Sequence, residues 1–330
     1  MRIVVDAMGG DHAPHEIVKG VLAAQEKWPN VHYILVGRKE EVRPLIEGAN
    51  HLELIDAPEV IATDDEPTRA IRRKKDSSLV VATQLLQEQK ADAMISAGNT
   101  GALMAAGLFI VGRMQGVERP GLGTVFPTMD GKGCFVIDLG ANVDAKPQHL
   151  YHYAILGHAY MEEVMGCEHP RIGLLNVGTE DKKGNMLTKE VFQLLKESEL
   201  NFVGNVEARD VLNGVCDVLV CDGFSGNVML KSIEGVAATL FSILKEELTK
   251  TTMRKLAAAT LKPGLRNIKN KLDYKEHGGA PLLGLQAPLI KAHGSSDARA
   301  IENAIGQAIK MIESQYVQRV MKHMEGMNEE

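Results

Sequence analysis

The chain has 330 residues, of which 45% are hydrophobic and only 4% aromatic, and it carries a formal net charge of −6. The length suits one large α/β unit or two lobes, and the acidic balance argues against general binding to nucleic acid. The cysteines Cys134, Cys167, Cys216 and Cys221 show neither Cys-x-x-Cys nor zinc-ligand spacing. Cys134 and Cys221 lie in apolar, strand-like runs, so we expect buried free thiols there, as in a reducing cytoplasm.

Apolar runs typical of buried strands alternate along the chain with segments of helical periodicity. Strands are predicted at Ile3–Ala7, Tyr33–Val36, Leu52–Ile55, Ala93–Ser96, Phe135–Leu139, Ile172–Val177, Phe202–Val203 and Val218–Cys221. Helices are predicted over residues 14–28, 77–90, 100–114, 147–165, 186–198, 227–251 and 297–324, with a hairpin at Leu282–Ile290. The pattern predicts a doubly wound, three-layer α/β/α fold with a parallel sheet, as a single domain over residues 1–330.

The first residues enter a strand at once, so we expect no signal peptide. No uninterrupted apolar run is as long as the roughly 18 residues that a membrane-spanning helix needs. The sequence therefore predicts that no segment crosses a membrane.

Six short loops rich in Gly, Asn, Ser and Asp stand out, and most of them follow a predicted strand and open a predicted helix. They are Asp6–Asp11, Ser96–Gly101, Asp138–Asp144, Asn176–Gly184, Asp222–Asn227 and His293–Asp297. Backbone N–H groups at a helix N-terminus attract anions, and in open α/β sheets such loops gather at the carboxyl ends of the strands. The set predicts one large polar site for an anionic substrate. Ordinary turn chemistry is the alternative for any single loop.

The segment from Lys250 to Lys275 departs from the acidic rest of the chain, because it holds eight basic residues and one acidic residue. Its apolar side chains include Leu256, Leu261 and Leu265. Pro263-Gly264 is predicted to break the segment into two helical pieces. A basic amphipathic helical hairpin, protruding over about residues 236–277, suits contact with anionic lipid or an acidic protein. The alternative is that its apolar stripe packs on the core or on a second subunit.

Several motifs are missing from the sequence. The first strand is not followed by Gly-x-Gly-x-x-Gly, and the chain contains no P-loop, no Gly-x-Ser-x-Gly and no His-Glu-x-x-His. An anion site without a nucleotide motif or an evident protein nucleophile suits a reaction in which the anion attacks. Inorganic phosphate could be placed in line with an electrophilic carbonyl, with donors for the oxyanion. If the leaving group is a thiol, its departure needs no strong general acid. No cofactor and no metal are required for such a step.

The loop sequences resemble a known family. The segments that carry the resemblance are Asp6–Pro14, Arg72–Ser78, Ser96–Ala102, Asp138–Asp144, Leu175–Gly184 and Lys291–Asp297. They are similar to signatures of bacterial acyl-acyl-carrier-protein:phosphate acyltransferases, the PlsX family. The resemblance implies conversion of fatty acyl-acyl carrier protein and phosphate to acyl phosphate and free carrier, for phosphatidic acid synthesis. It also implies a fold related to phosphotransacetylase and to isocitrate and isopropylmalate dehydrogenases.

The resemblance further implies a homodimer in the cytoplasm. It would be bound peripherally to the inner face of the cell membrane, where a membrane acyltransferase uses the acyl phosphate. Lipid contact is assigned to Leu256, Leu261 and Leu265. Docking of the acidic carrier protein is assigned to the basic cluster Arg72, Arg73, Lys74 and Lys75, for which a solvated helix start is the alternative.

Roles at the site follow from the same loops. We assign phosphate binding to Gly10, Asp11, Asn99, Thr100, Gly101, Asn142 and Lys182, and catalysis to Lys183, Asn227 and His293. For Asn99 the alternative is a helix N-cap, for Lys182 and Lys183 a solvated turn, and for His293 a structural histidine. The aspartates Asp6, Asp11, Asp138 and Asp144 are expected to organise loops, with a divalent-metal site as the alternative.

Three other functions remain open on the sequence. One is phosphotransacetylase-like transfer to a small acyl-coenzyme A. Another is a metal- and nucleotide-dependent decarboxylating dehydrogenase on the same fold. The last is a non-enzymatic scaffold on a lipid surface, built on the basic segment.

Overall fold

A mixed sheet of eleven strands crosses the computed structural model, which describes residues 1–49, 51–272 and 278–327. The strands are β1 (Arg2–Asp6), β2 (His32–Gly37), β3 (Leu52–Asp56), β4 (Ala93–Ser96), β5 (Gly121–Phe126), β6 (Cys134–Ile137), β7 (Ile172–Asn176), β8 (Phe202–Glu207), β9 (Val218–Val220), β10 (Ala280–Leu283) and β11 (Leu289–Lys291). The helices are α1 (His15–Lys27), α2 (Lys39–Val42), α3 (Pro67–Arg73), α4 (Ser78–Gln87), α5 (Thr100–Ala106), α6 (Pro147–Ala159), α7 (Met186–Glu197), α8 (Gly223–Thr249), α9 (Thr252–Leu272), α10 (Ala298–Glu313) and α11 (Tyr316–Met327). Wider π-type turns extend α5 over Gly107–Val111 and α6 over Tyr160–Val164.

The sheet has the spatial order β3-β2-β1-β4-β11-β10-β5-β6-β9-β7-β8. It contains two blocks, and within each block the strands are parallel to one another. The first block runs from β3 to β11 and the second from β6 to β8. Between them, β10 and β5 pair antiparallel with each neighbour. The direction therefore reverses three times, and the carboxyl ends of the two blocks lie at opposite edges of the sheet.

Helices cover both faces of this sheet, which confirms the three-layer prediction. Along β1, Ile3 and Val5 pack into the core beneath α1 and α10, whereas Val4 packs into the core beneath α4 and α5. This alternation is the period of a strand, and both faces are apolar because both are buried. A third apolar cluster, which includes Met229 of α8, covers the second block on the same face as α5.

All eight predicted strands and the predicted hairpin are present, and the sheet is mostly parallel as predicted, with antiparallel pairings only around β10 and β5. Strand β5 was not predicted, because its glycines suggest a loop. A Cβ at Gly123 would lie 2.2 Å from the ring of Phe135, so only glycine lets that ring cross the neighbouring strand. Helix α3 was missed as well. The helix predicted over 297–324 is divided in two near Gln315, where φ is +54°.

The basic segment is also helical, with a different boundary from the predicted one. Helix α9 continues through Pro263, and the junction with α8 lies at Lys250-Thr251 instead. An ion pair of 2.8 Å between Arg254 and Glu247 spans that junction. Leu256 and Leu261 are 67% and 55% exposed, and Leu265 is half-buried. Residues 273–277 of the expected protrusion lie outside the described residues.

Helix α8 is long and apolar enough, by length and composition alone, to cross a membrane, which the sequence analysis did not expect. Charged residues interrupt its apolar run, so a search for uninterrupted runs misses it. Its first turns, however, pack tightly on the sheet. A Cβ at Gly226 would lie 2.0 Å from the carbonyl oxygen of Asp138, so this end of the helix is part of the folded domain.

Candidate functional site

A cavity of about 770 Å³ lies over the central strands of the sheet, between α5 and α8. One part of its wall comes from the loops that follow β1, β4 and β11. Another part comes from Leu139 and from the second and third turns of α8. Its apolar wall contains Met8, Ile61, Leu122, Leu139 and Leu230. The cavity thus joins a polar, glycine-rich end to an apolar surface.

The six predicted loops are not gathered at one edge, as the sequence analysis expected. The loops after β1, β4 and β11 share one edge, and those after β6, β7 and β9 share the opposite edge, because the two strand blocks run in opposite directions. The cavity joins the first set to Leu139 and to Asn227 of α8. The loop Asn176–Gly184 contributes no residue to its lining.

The helices that start near the cavity are capped by their own side chains. Asn99, Asp222 and Asp297 accept hydrogen bonds from the backbone amides of Ala102, Ser225 and Ala300, at 2.9–3.0 Å. Each cap satisfies one of the backbone amides in the first turn of its helix. These amides were predicted to be available for an anion, and the capped ones are not.

Asn99 is engaged at both ends of its amide. Its oxygen caps α5, and its nitrogen donates to the carbonyl oxygens of Ala62, Thr63 and Asp65, at 3.0–3.3 Å. This is the geometry of the N-cap alternative, and it holds residues 62–65 against the cavity. Thr100 and Gly101 also line the cavity. Their contact with phosphate stays a prediction.

The cavity brings together four other predicted site residues: Gly10, Asp11, Asn227 and His293. The backbone N–H of Asp11 donates to the carbonyl of Gly294 at 2.7 Å, which joins the loop after β1 to the loop after β11. Gly10 has a φ of +108°, a conformation that favours glycine at this close approach. The Nδ1 atom of His293 lies 2.9 Å from the hydroxyl of Ser295 and accepts from the Ser295 amide at 3.1 Å.

Asp138 organises the loop that follows β6, as predicted for the aspartates. Its carboxylate accepts hydrogen bonds from the backbone amides of Leu122, Gly140, Ala141 and Asn142. Burial raises the pKa of Asp138 to about 6, although these bonds favour the ionised form. Asp138 therefore has a structural role beside the cavity.

Asn142 does not line the cavity, and its side-chain nitrogen is already used. The Nδ2 atom of Asn142 lies 2.7 Å from the carbonyl oxygen of Pro120 and 2.7 Å from the hydroxyl of Tyr153. Lys182 and Lys183 are exposed in the loop after β7, where the Lys183 ammonium lies 3.9 Å from Glu180. The structure therefore does not bring these three residues together with the others.

The predicted carrier-docking cluster lies at the end of α3. Arg72, Arg73 and Lys75 are exposed. Lys74 is half-buried and differs from them, because its ammonium pairs with Asp65 and donates to the carbonyl of Val60. Residues 60–63 line the cavity and shortly precede α3 in the sequence. The exposed basic cluster is therefore close in sequence to the cavity lining.

Lys291 is a cavity residue that was not among the predicted site residues. It ends β11, is only 8% exposed and lines the cavity. Its register partner on β4 is Ser96, whose hydroxyl donates to the buried carboxylate of Asp6 at 2.6 Å. Burial lowers the pKa of Lys291 to about 8. A lysine at the end of an apolar strand was the available signal, but its burial depends on distant loops.

The alternative of a divalent-metal site on the aspartates requires several ligating side chains close together. In the part of the chain that the structure describes, no three His, Cys, Asp or Glu side chains form a group that could hold a metal ion. Asp6 resembles Asp138 in its contacts, since it accepts from the Met8 amide and the Ser96 hydroxyl.

Comparison with known proteins gives sequence matches over nearly the whole chain. Residues 1–319 match the family model described as "Fatty acid synthesis protein". A protein of Bacillus cereus (strain B4264) named phosphate acyltransferase is 55% identical over 325 residues, which cover 98% of each chain. One of the same name from Geobacillus thermodenitrificans is 55% identical, covering 98% of this chain and 99% of that protein.

Solved structures with the same fold include two enzymes of acyl transfer. A phosphotransacetylase from Streptococcus pyogenes superposes with a TM-score of 0.61 at 17% identity, covering 96% of this chain and 94% of the other. A branched-chain phosphotransacylase from Enterococcus faecalis superposes with a TM-score of 0.58 at 13% identity, covering 94% and 99%. At such identities the likeness concerns the fold.

Proposed function

We propose that this chain, which belongs to the phosphate acyltransferase family of fatty acid synthesis proteins and is an acyltransferase, uses acyl carrier protein as its acyl donor. It transfers a fatty acyl group from the carrier thioester to inorganic phosphate. The products are acyl phosphate and free carrier, and the acyl phosphate enters phospholipid synthesis.

One observation carries the proposal: the cavity joins a polar end to an apolar wall. The polar end contains Gly10, Asn99 and His293, and the apolar wall contains Leu122 and Leu230. A small anion suits the first surface and the start of an acyl chain suits the second. The two reactants would then meet where the surfaces join, which is catalysis by positioning.

In the reaction, an oxygen of phosphate attacks the thioester carbonyl carbon and forms a tetrahedral intermediate. Hydrogen-bond donors in the cavity stabilise its oxyanion, and Asn227 and His293, which line the cavity, are the residues assigned to this role. The carbon–sulfur bond then breaks, and the leaving thiolate takes up the proton that phosphate loses. Because a thiol has an ordinary pKa near 8.5, its departure needs no strong general acid.

The protein's own thiols are poor nucleophiles for this reaction. Cys134, Cys216 and Cys221 are buried, and Cys167 is half-buried with a pKa that burial raises. The neighbouring thiol of Cys216 and burial raise the pKa of Cys134, and burial raises the pKa of Cys221. Since the thiolate is the reactive form, direct attack by phosphate is the simpler route.

The carrier and the membrane are assigned to exposed surfaces. Arg72, Arg73 and Lys75 present positive charge to an acidic carrier protein. Helix α8 exposes Val236, Leu240, Ile243 and Leu244, which recur at helical spacing on one side. We assign this stripe to a second copy of the chain in a homodimer. The basic helix α9 then touches anionic lipid at the inner face of the membrane, where a membrane acyltransferase takes up the product.

A series of thioesters tests the substrate assignment. Acyl groups of increasing length, attached either to carrier protein or to coenzyme A, are assayed with phosphate for acyl phosphate formation. We expect the highest kcat/KM for long chains on carrier protein. A preference for short acyl groups on coenzyme A would instead support phosphotransacetylase-like activity and contradict the proposal.

A further inference from the structure

Lys291 places a buried ammonium in the wall of the cavity. The side chain is 8% exposed, and its Nζ donates to the carbonyl oxygen of Ala97 at 3.3 Å and to that of Ala292. An ammonium has three N–H donors, so these two contacts leave one N–H for a ligand. The residue that supplies it ends β11, directly at the polar end of the cavity.

The charge of this ammonium is not balanced by an ion pair. Among residues 1–49, 51–272 and 278–327, no carboxylate oxygen lies within 4.0 Å of the Lys291 Nζ. Asp6 and Asp11 act on it from a greater distance, and they only partly offset the cost of burial, which lowers the pKa of Lys291 to about 8. A buried cation held by carbonyl oxygens alone is unfavourable unless an anion joins it.

The position of the side chain is fixed by parallel pairing. Lys291 lies beside Ser96 in the β11–β4 register, and the Ser96 hydroxyl is directed to Asp6. Asp6 also accepts from the Met8 amide, so its carboxylate is held by the loop after β1. The sheet thus keeps this carboxylate out of ion-pair contact with Lys291.

We propose that Lys291 binds inorganic phosphate at the polar end of the cavity, beside the loops that contain Ala97 and Ala292. This inference rests on the proposed function and refines it, because the cationic side chain that binds phosphate becomes the buried Lys291 instead of the exposed Lys182. Phosphate bound there lies within the cavity that the acyl group must enter. Lys291 therefore touches a reactant and stabilises its charge.

The Lys291 ammonium could also bind a second kind of phosphate, the phosphodiester in the prosthetic arm of the carrier protein. A deeply buried ammonium favours the small free anion, because the arm would have to thread its diester past the apolar wall. The two sources predict different kinetic effects. If Lys291 binds inorganic phosphate, its loss should raise the KM for inorganic phosphate. If it binds the phosphodiester of the carrier, its loss should raise the KM for the acyl carrier.

The test compares Lys291→Met with wild type and with Lys90→Met. Lys90 is exposed and paired with Glu88 before the amino end of β4, far from the cavity edge, so it is a matched loss of one lysine charge. Binding is measured with inorganic phosphate alone, by calorimetry and by the rise in Tm with phosphate concentration. We expect affinity to fall about 10- to 100-fold in Lys291→Met and to stay unchanged in Lys90→Met.

Lys291→Met should fold, because it removes a buried charge and keeps the volume of the side chain. If it does not fold, Lys291→Gln provides the same comparison. Unchanged phosphate affinity in a folded variant, or no phosphate binding by wild type, overturns the proposal, as does an effect only on the KM for acyl carrier. If Lys291 is needed for phosphate binding but wild type transfers no acyl group from carrier protein, the proposed function fails and this inference stands.

Discussion

The hydroxyl of Ser96 donates a 2.6 Å hydrogen bond to the carboxylate of Asp6, which joins the carboxyl ends of the adjacent parallel strands β4 and β1. Both side chains are buried. The same hydroxyl accepts the backbone N–H of Gly98 at 3.0 Å. One residue thus holds two of the loops that form the polar end of the cavity.

Ser96→Ala should therefore destabilise the fold by roughly 1–3 kcal/mol, because it leaves a buried carboxylate with one donor fewer. Urea unfolding measures the change. Ser314→Ala is the control, since the Ser314 hydroxyl only donates to a carbonyl of its own helix end at 3.3 Å. A loss in Ser96→Ala no larger than in this control would show that the bond contributes little.

Asp138 should make stability depend on pH between about 4 and 6. Its pKa is raised from 3.8 to about 6, so the folded state binds a proton that the unfolded state has already released. Stability from this group is therefore greatest at acid pH and is lost as pH rises through the folded-state pKa. The difference in unfolding free energy between wild type and Asp138→Asn should grow by about 2–3 kcal/mol from pH 7 to pH 4. A difference that is constant over this range would contradict the raised pKa.

The carrier-docking surface is tested by Arg72→Glu with Arg73→Glu. Both side chains are exposed, so the fold should remain intact, and the reversed charge should repel an acidic carrier. We expect the KM for acyl carrier to rise about tenfold or more, as for an interface that loses complementary charge, with an unchanged KM for phosphate. Lys39→Glu with Arg43→Glu, also exposed, is the charge-matched control. Equal effects from both pairs would indicate only general electrostatic attraction.

The basic helix α9 gives a separate prediction for Leu256→Glu with Leu261→Glu. These leucines are 67% and 55% exposed, and basic residues near anionic lipid contribute about 1 kcal/mol each. Flotation with anionic vesicles should show that the variant no longer binds, while soluble turnover and dimerisation are retained. Gln84→Glu with Gln87→Glu, on exposed positions of α4, adds the same charge and should still bind. Loss of the dimer instead would place this stripe in the subunit interface.

Local patterns in the sequence predict much of this fold. Ile3, Val4 and Val5 form a continuous apolar run, and the alternation of such runs with helical periodicity identifies a layered α/β protein. The direction of the second strand block was not predictable in the same way. It depends on three antiparallel pairings around β5 and β10, and β5 contains Gly123, whose purpose becomes clear only beside the Phe135 ring.

The site was predictable in part for a related reason. Asn99 and His293 belong to recognisable loop sequences, and both reach the cavity. Whether Asn99 serves as a cap depends on local geometry that the sequence leaves open. Lys291 follows Leu289 and Ile290, and nothing in that run shows that the ammonium is buried, because the burial depends on a distant loop that supplies the carbonyl of Ala97.

Release of carrier thiol, measured with enzyme and long-chain acyl carrier at comparable concentrations, tests the central claim that phosphate itself attacks the thioester. Without phosphate we expect no thiol release. When phosphate is added, one acyl phosphate should form for each thiol released, including in the presence of a chelator. Release of one thiol per enzyme in the absence of phosphate, with an acyl group left on the protein, would contradict the account.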